Sequence, residues 1–312
     1  MIASLDDQPV AVNVIGSSVY FALFIEGLKS VPTTGGTITP IAGPLDIGGE
    51  VGSYMQGPFA FDATNLYWAQ SSGGYTTGPV ARASLTGASP ATLTTSMGFT
   101  SGVVADATNV YFVDQDQGSI SAVPIAGGSA KSIATGLSTP GGLALRDGIL
   151  YTLTAGGDLL SVTMSGTVTT LVTGPGLPSN TEVADWTPGL AADDQNIYYS
   201  VCAFDGSGAA TLSRIPLGGD SPTVLAKSCA SGIAVDANSV YWVSASEGTV
   251  NAVAIGGGGS KVYADKQGAP VGPAIDADNV YWGTTVVGSA SCGLCGPPAP
   301  AMGANAIWSI AK

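Results

Sequence analysis

A tyrosine preceded by an aliphatic residue recurs seven times along the 312-residue chain, in most copies with a second aromatic after it. The copies are Val19-Tyr20-Phe21, Leu66-Tyr67-Trp68, Val110-Tyr111-Phe112, Leu150-Tyr151-Thr152, Ile197-Tyr198-Tyr199, Val240-Tyr241-Trp242 and Val280-Tyr281-Trp282. The tyrosines stand 40 to 47 residues apart. Such a period implies an array of equivalent units, each too small to bury its own apolar surface, as in a solenoid or a propeller.

Ser231–Ala264 is the clearest unit. Gly232-Ile-Ala-Val235 is a short apolar run, and Asp236-Ala-Asn-Ser239 is a polar cluster that reverses a chain through Asx hydrogen bonding. Val240–Ser244 is aromatic and β-branched, Thr249–Ile255 alternates, Gly256–Gly259 breaks the run, and Lys261–Ala264 closes the unit. These are four antiparallel strands, a to d. Four strands at this period predict a β-propeller blade. The same a strand and turn precede the other tyrosines, with Asp62, Asp106, Asp193, Asp236 and Asp276 in register as turn formers.

The chain ends fix the blade count. The last copy stops after a c strand, Ile307–Lys312, and Met1–Leu5 reads as a d strand with no blade before it. Pairing the two removes both orphan edges. The expectation is one all-β domain spanning 1–312, a seven-bladed β-propeller whose N-terminal strand completes the last blade. Alternation along b puts each tyrosine and its neighbouring aromatic on opposite blade faces, against adjacent blades.

Val-Tyr-Trp after an Asp-Ala-x-Asn turn resembles the YWTD propeller repeats of lipoprotein-receptor ectodomains, with Tyr111-Phe-Val-Asp114 nearest to the full tetrapeptide. The chain is similar also to bacterial secreted or lipid-anchored propellers of undefined function. It departs from the receptor type in having seven copies rather than six and one terminal Asp. Ligand capture is what the receptor resemblance implies, on a fold that hosts unrelated activities.

A net charge of −13 with nine Lys and Arg argues against nucleic acid or an anionic membrane as partner. Histidine is absent, which removes His-based triads and imidazole metal sites. No apolar run of about 18–20 residues occurs, so no membrane span is expected. The start, MIASLDDQPV, lacks signal-peptide regions, which leaves a cytosolic chain or one whose leader has been removed. Four cysteines in a Lys-poor chain favour an oxidising compartment, extracellular, periplasmic or at the cell surface, with a leader removed. The expected disulfides are Cys202–Cys229 and Cys292–Cys295.

In an antiparallel blade the a–b and c–d turns share one face of the disc, and the b–c loops and d–a connections share the other. The second face carries the variable segments Gln70–Val80, Gly174–Pro188, Ala203–Ala210 and Thr285–Ala306, and is the expected working face. Glu182, Asp185 and Trp186 have no register partner in other copies and suit sugar stacking and hydrogen bonding. Tyr75, Asp114, Asp116, Asp205 and Glu247 complete the ligand-binding candidates. A second carboxylate from Asp114, Asp116, Asp205 or Glu247 would make an acid–base pair with Glu182 or Asp185. Asp114-Gln-Asp116-Gln-Gly118-Ser119 has the first two oxygen ligands of a calcium loop but lacks the third and the closing Glu, and reads as a polar hairpin, so no cofactor is expected. Ala144, Ala191 and Ala234 are expected to line a narrow channel.

Two readings follow. One is a non-enzymatic secreted or surface module that presents loops to a protein or glycan. The alternative is a carboxylate-dependent hydrolase or lyase with its site at the channel mouth. Convergence of carboxylates from two blades would separate them.

Overall fold

The computed structural model describes residues 1–43, 54–71, 78–87, 90–95, 98–176, 189–202, 210–285 and 304–312. Among these, 28 strands form seven four-stranded antiparallel sheets arranged as the blades of a ring, with no helix. The inner strands of blades 1 to 7 are Pro9–Ile15, Tyr54–Phe61, Thr100–Ala105, Pro140–Arg146, Leu190–Ala192, Gly232–Val235 and Ala269–Ile275. Blade 6 continues through Ser239–Ser244, Thr249–Ala254 and Lys261–Ala264.

The chain ends meet as expected. Ala3 pairs with Ile307 and Ser4 with Ala306, so the N-terminal strand forms the outer edge of blade 7. The Ile2 N–H donates to the Ile307 carbonyl (2.9 Å) and the Leu5 N–H to the Asn305 carbonyl (2.8 Å). Ala3 and Leu5 bury themselves in the apolar cluster between blades 7 and 1.

Each gap between blades holds one apolar cluster, and the b-strand aromatics determine its contents. Tyr20 shares a cluster with Trp68 of the next blade, Tyr67 with Phe112, Tyr151 with Tyr199, Tyr198 with Trp242, Tyr241 with Trp282 and Tyr281 with Phe21. Strand alternation sends tyrosine and follower to opposite faces, so each blade is joined to both neighbours. At the remaining gap Tyr111 packs with Leu150 and Val162. The follower in blade 4, Thr152, is fully buried and donates to the carbonyls of Gly141 and Gly142 (3.0 Å each), which satisfies a hydroxyl that burial would otherwise leave unpaired.

Near the axis the inner strands crowd together. Several carry a register shift, between Pro9 and Ala11, Thr100 and Gly102, Gly141 and Ala144, and Val271 and Ala274. Glycine permits the approach: a Cβ on Gly102 would lie 2.7 Å from the Leu143 amide nitrogen, and one on Gly232 would overlap the Gly272 carbonyl oxygen. Backbone cannot yield there as a flexible side chain could. Gly232→Ala is therefore expected to destabilise the disc by about 1–3 kcal/mol. Gly259→Ala, where an added Cβ meets nothing within 4 Å, should stay within about 0.5 kcal/mol of wild type. Denaturant unfolding of both variants checks this, and equal destabilisation would contradict the close-approach account.

Candidate functional site

On the a–b face the repeated aspartates do more than form turns. Asp62 Oδ1 accepts the N–H groups of Thr64 (2.7 Å) and Asn65 (2.8 Å), while Oδ2 accepts the Tyr67 hydroxyl (2.5 Å). The arrangement recurs as Asp106–Tyr111 (2.6 Å), Asp193–Tyr198 (2.7 Å), Asp236–Tyr241 (3.2 Å) and Asp276–Tyr281 (2.6 Å). In blades 1 and 4, which lack that aspartate, Tyr20 and Tyr151 donate instead to the carbonyls of Leu85 and Leu217 in the following blade (3.4 and 3.5 Å). Lys312 of blade 7 reaches back to Asp236 of blade 6 (2.6 Å), and Arg146 pairs with Asp194 across the gap from blade 4 to blade 5.

These bonds set the protonation states. Burial alone would raise the carboxyls, but the tyrosine hydroxyl and two backbone N–H groups outweigh it and hold Asp62, Asp106, Asp193 and Asp276 below the ordinary carboxylate value. At Asp236 burial is likewise outweighed, with Lys312 as the leading partner. Burial, followed by the hydrogen bond to the carboxylate and its charge, pushes Tyr67, Tyr111 and Tyr281 up to about 12. Such tyrosines are locked donors at neutral pH.

The opposite face carries the sequence candidates, and several of its described carboxylates fasten turns and connections. Asp114 Oδ1 accepts the Gln117 N–H (2.9 Å), and Asp116 Oδ2 accepts the Phe99 N–H (2.9 Å), tying the blade 3 b–c turn to the preceding d–a connection. Gly98 leaves room for this, since a Cβ there would lie 2.5 Å from Asp114 Oδ1 and 2.9 Å from Asp116 Oδ2. Glu247 accepts from Ser228 (3.4 Å) and Thr249 (3.4 Å), and Ser228 itself accepts the buried Trp242 indole N–H (3.1 Å). Asp7 takes the N–H groups of Ile25 (2.6 Å) and Glu26 (2.9 Å), and Asp158 takes that of Gly174 (2.8 Å). Asp7 and Asp158 are stapling residues that sequence reasoning missed. The signal available was an Asp at a b–c or d–a position without a register partner.

In blade 5 the staple is covalent: Cys202, after the b strand, is bonded to Cys229 in the connection to blade 6, with the Cα atoms 5.0 Å apart. Tyr75, Glu182, Asp185, Trp186, Asp205, Cys292 and Cys295 lie outside the described residues. Asp114 and Asp116 belong to blade 3 and Glu247 to blade 6, so the ring does not bring them together. Among the described residues no three His, Cys, Asp or Glu side chains are grouped to hold a metal.

The expected channel lining needs correction. Ala144 is buried in the cluster between blades 4 and 5. Ala144 lies directly opposite Tyr151 and shares its face of the blade, while Gly142, Leu143 and Leu145 line the wall. Ala191 and Ala234 are not among the residues around the axial cavity, where blade 5 contributes Leu190.

No protein-family model matches the chain, and no curated protein matches it. Solved structures do. A catalytically inactive His-to-Ala variant of virginiamycin B lyase from Staphylococcus aureus with quinupristin aligns at a TM-score of 0.68 and 14% identity, covering 90% of this chain and 94% of that one. A streptogramin B lyase structure aligns at 0.67 and 14% identity, over 90% and 92%. A chain of a nidogen/laminin complex aligns at 0.53 and 18% identity, over 71% and 85%. At such identities the likeness shows the fold alone: this chain is a seven-bladed propeller.

The Asp–Tyr pairs give stability two pH edges. Depressed carboxyl values contribute stability that is present above about pH 4 and lost as pH falls through the folded-state values. Raised tyrosines contribute stability that is present below about pH 10 and lost as pH rises towards 12. Thermal melting should thus be level from about pH 5 to 9 and fall on either side. Tyr111→Phe should cost about 1 kcal/mol, after allowance for solvent around Asp106, and should soften the acid edge. An acid edge unchanged in that variant would show that the pair contributes nothing.

Proposed function

We propose that this chain is a non-enzymatic, secreted or surface-displayed binding module whose recognition surface is the disc face of the b–c loops and d–a connections, with a protein or glycan as ligand. One observation carries the reading. The described carboxylates of the repeats and staples are engaged in holding turns and loops, whereas the strands that flank positions 44–53, 72–77, 177–188, 203–209 and 286–303 end towards that one face. Loops on a rigid scaffold are where binding residues gather.

Within that surface Glu182, Asp185 and Trp186 combine an aromatic platform with two acceptors, and Tyr75 and Asp205 add similar chemistry from blades 2 and 5. This recognition needs no cofactor. A propeller chain in a nidogen/laminin complex supports a protein ligand by fold-level analogy. The Cys202–Cys229 bond suits an oxidising location, and among the described residues no helix is long and apolar enough to cross a membrane.

A second reading, an enzyme at the channel mouth, draws on the likeness to virginiamycin B lyase. The His-to-Ala variant of that lyase is catalytically inactive, and this chain has no histidine to supply the equivalent group. Quinupristin incubated with the protein is expected to be recovered unchanged by chromatography. Its enzyme-dependent consumption would move the assignment to the lyase reading.

The binding reading is tested with a printed glycan array and a pull-down from the extracellular fraction of the source. Joint replacement E182Q, D185N and W186A should weaken the captured interaction by roughly tenfold or more. Thr64→Lys and Thr108→Lys, on the opposite turns, should leave it intact. Loss confined to the turn variants would sink the proposed surface.

A further inference from the structure

The axis of the ring holds a cavity of about 350 Å³, walled by the inner strands of blades 1 to 5. Phe59, Phe61, Val103, Leu143 and Leu145 are among the residues that line it, and none of its lining residues is charged. Phe61, Ala105 and Leu145 stand at or next to the ends of their strands, which places the cavity in the half of the channel nearer the a–b turns. It is therefore distinct from the loop face.

Asn13 is the polar side chain on the wall. Its Oδ1 accepts the Val14 N–H (2.9 Å), which leaves the Nδ2 group as a donor. Phe61 is 38% exposed, a large aromatic surface left open at the rim. A cavity of this size, uncharged and with its wall shared between apolar side chains and polar atoms, has room for a small neutral molecule. A charged ligand would lose its hydration here with no counter-charge in return.

We propose that the a–b end of the central channel binds a neutral small molecule with an apolar body, oriented by a hydrogen bond from Asn13 Nδ2 to an acceptor on the ligand. The apolar body packs against Phe59, Phe61 and Leu143 while the acceptor faces blade 1.

Nile red, a neutral fused-ring dye with one carbonyl acceptor, serves as the probe. Titration into the intact protein should give saturable one-to-one binding with blue-shifted emission. Ala105→Phe fills the cavity and should weaken binding roughly tenfold or more. Asn13→Leu, which leaves the wall apolar and adds no ring, should weaken it roughly fivefold and stands as the test if the first variant does not fold. The double variant V224S/V262S removes the exposed valines of the outer strands and should bind as wild type. Absence of saturable binding, undiminished binding in the folded channel variants, or loss in the outer-strand variant would each overturn the proposal.

Discussion

Burial of the b-strand aromatics between neighbouring blades is the interaction on which the rest of the molecule depends. A twisted four-stranded sheet has two apolar faces and cannot cover either one by itself. Sending a tyrosine to one side and, in six of the seven blades, an aromatic to the other makes the blades need two neighbours, and only a closed ring gives neighbours to all seven. The same logic explains why the first residues return to the last blade. Without Ala3 and Leu5 against Tyr281 and Ile307, the cluster between blades 7 and 1 would open to water. Burying a large apolar side chain is worth about 1.5–3 kcal/mol, and each gap contains several.

From this packing the two faces of the disc acquire different characters. A tyrosine fixed by its ring in a blade gap has its hydroxyl carried to the a–b turn, where an aspartate already bound to two backbone N–H groups receives it. Repetition then makes that face uniform. Connections on the other face carry no such obligation. They are held at their bases by whatever each blade has available: Asp7 in blade 1, Asp116 in blade 3, a disulfide in blade 5 and Glu247 in blade 6. Irregular staples leave the loops between them free to differ.

Much of the architecture was legible in the sequence because it is encoded by repetition. The period of the tyrosines gives the ring, the in-register aspartates give the a–b turns, and the unmatched strands at the two ends give the closure. What stayed hidden depends on distances that no spacing rule supplies. The bond from Tyr67 to Asp62 spans five residues across a hairpin, and its existence follows from turn geometry together with the ring's position in the gap. Ala144, expected in the channel for its small size, lies directly opposite Tyr151 and shares its face, so it packs into the gap between blades 4 and 5. Asp114, Asp116 and Glu247 looked like free acids, since sequence gives no sign of which backbone amide faces a loop carboxylate. In blade 6 Ser228 has a similar hidden role, receiving the Trp242 indole while donating to Glu247.

The distribution of polar groups bears on chemistry as well as on shape. Acid–base catalysis by carboxylates requires a group whose proton affinity is poised near the working pH and whose lone pairs face substrate. Here the repeated aspartates are driven the other way, held ionised by three or more donors, and their tyrosine partners are held protonated. Both members of each pair are thereby removed from proton transfer at neutral pH. Among the described residues these pairs act as fasteners of the a–b turns. For the proposed loop-face ligand, or the proposed neutral guest on the axis, a disc fastened in this way would already be ordered before binding, which lowers the entropic cost of association.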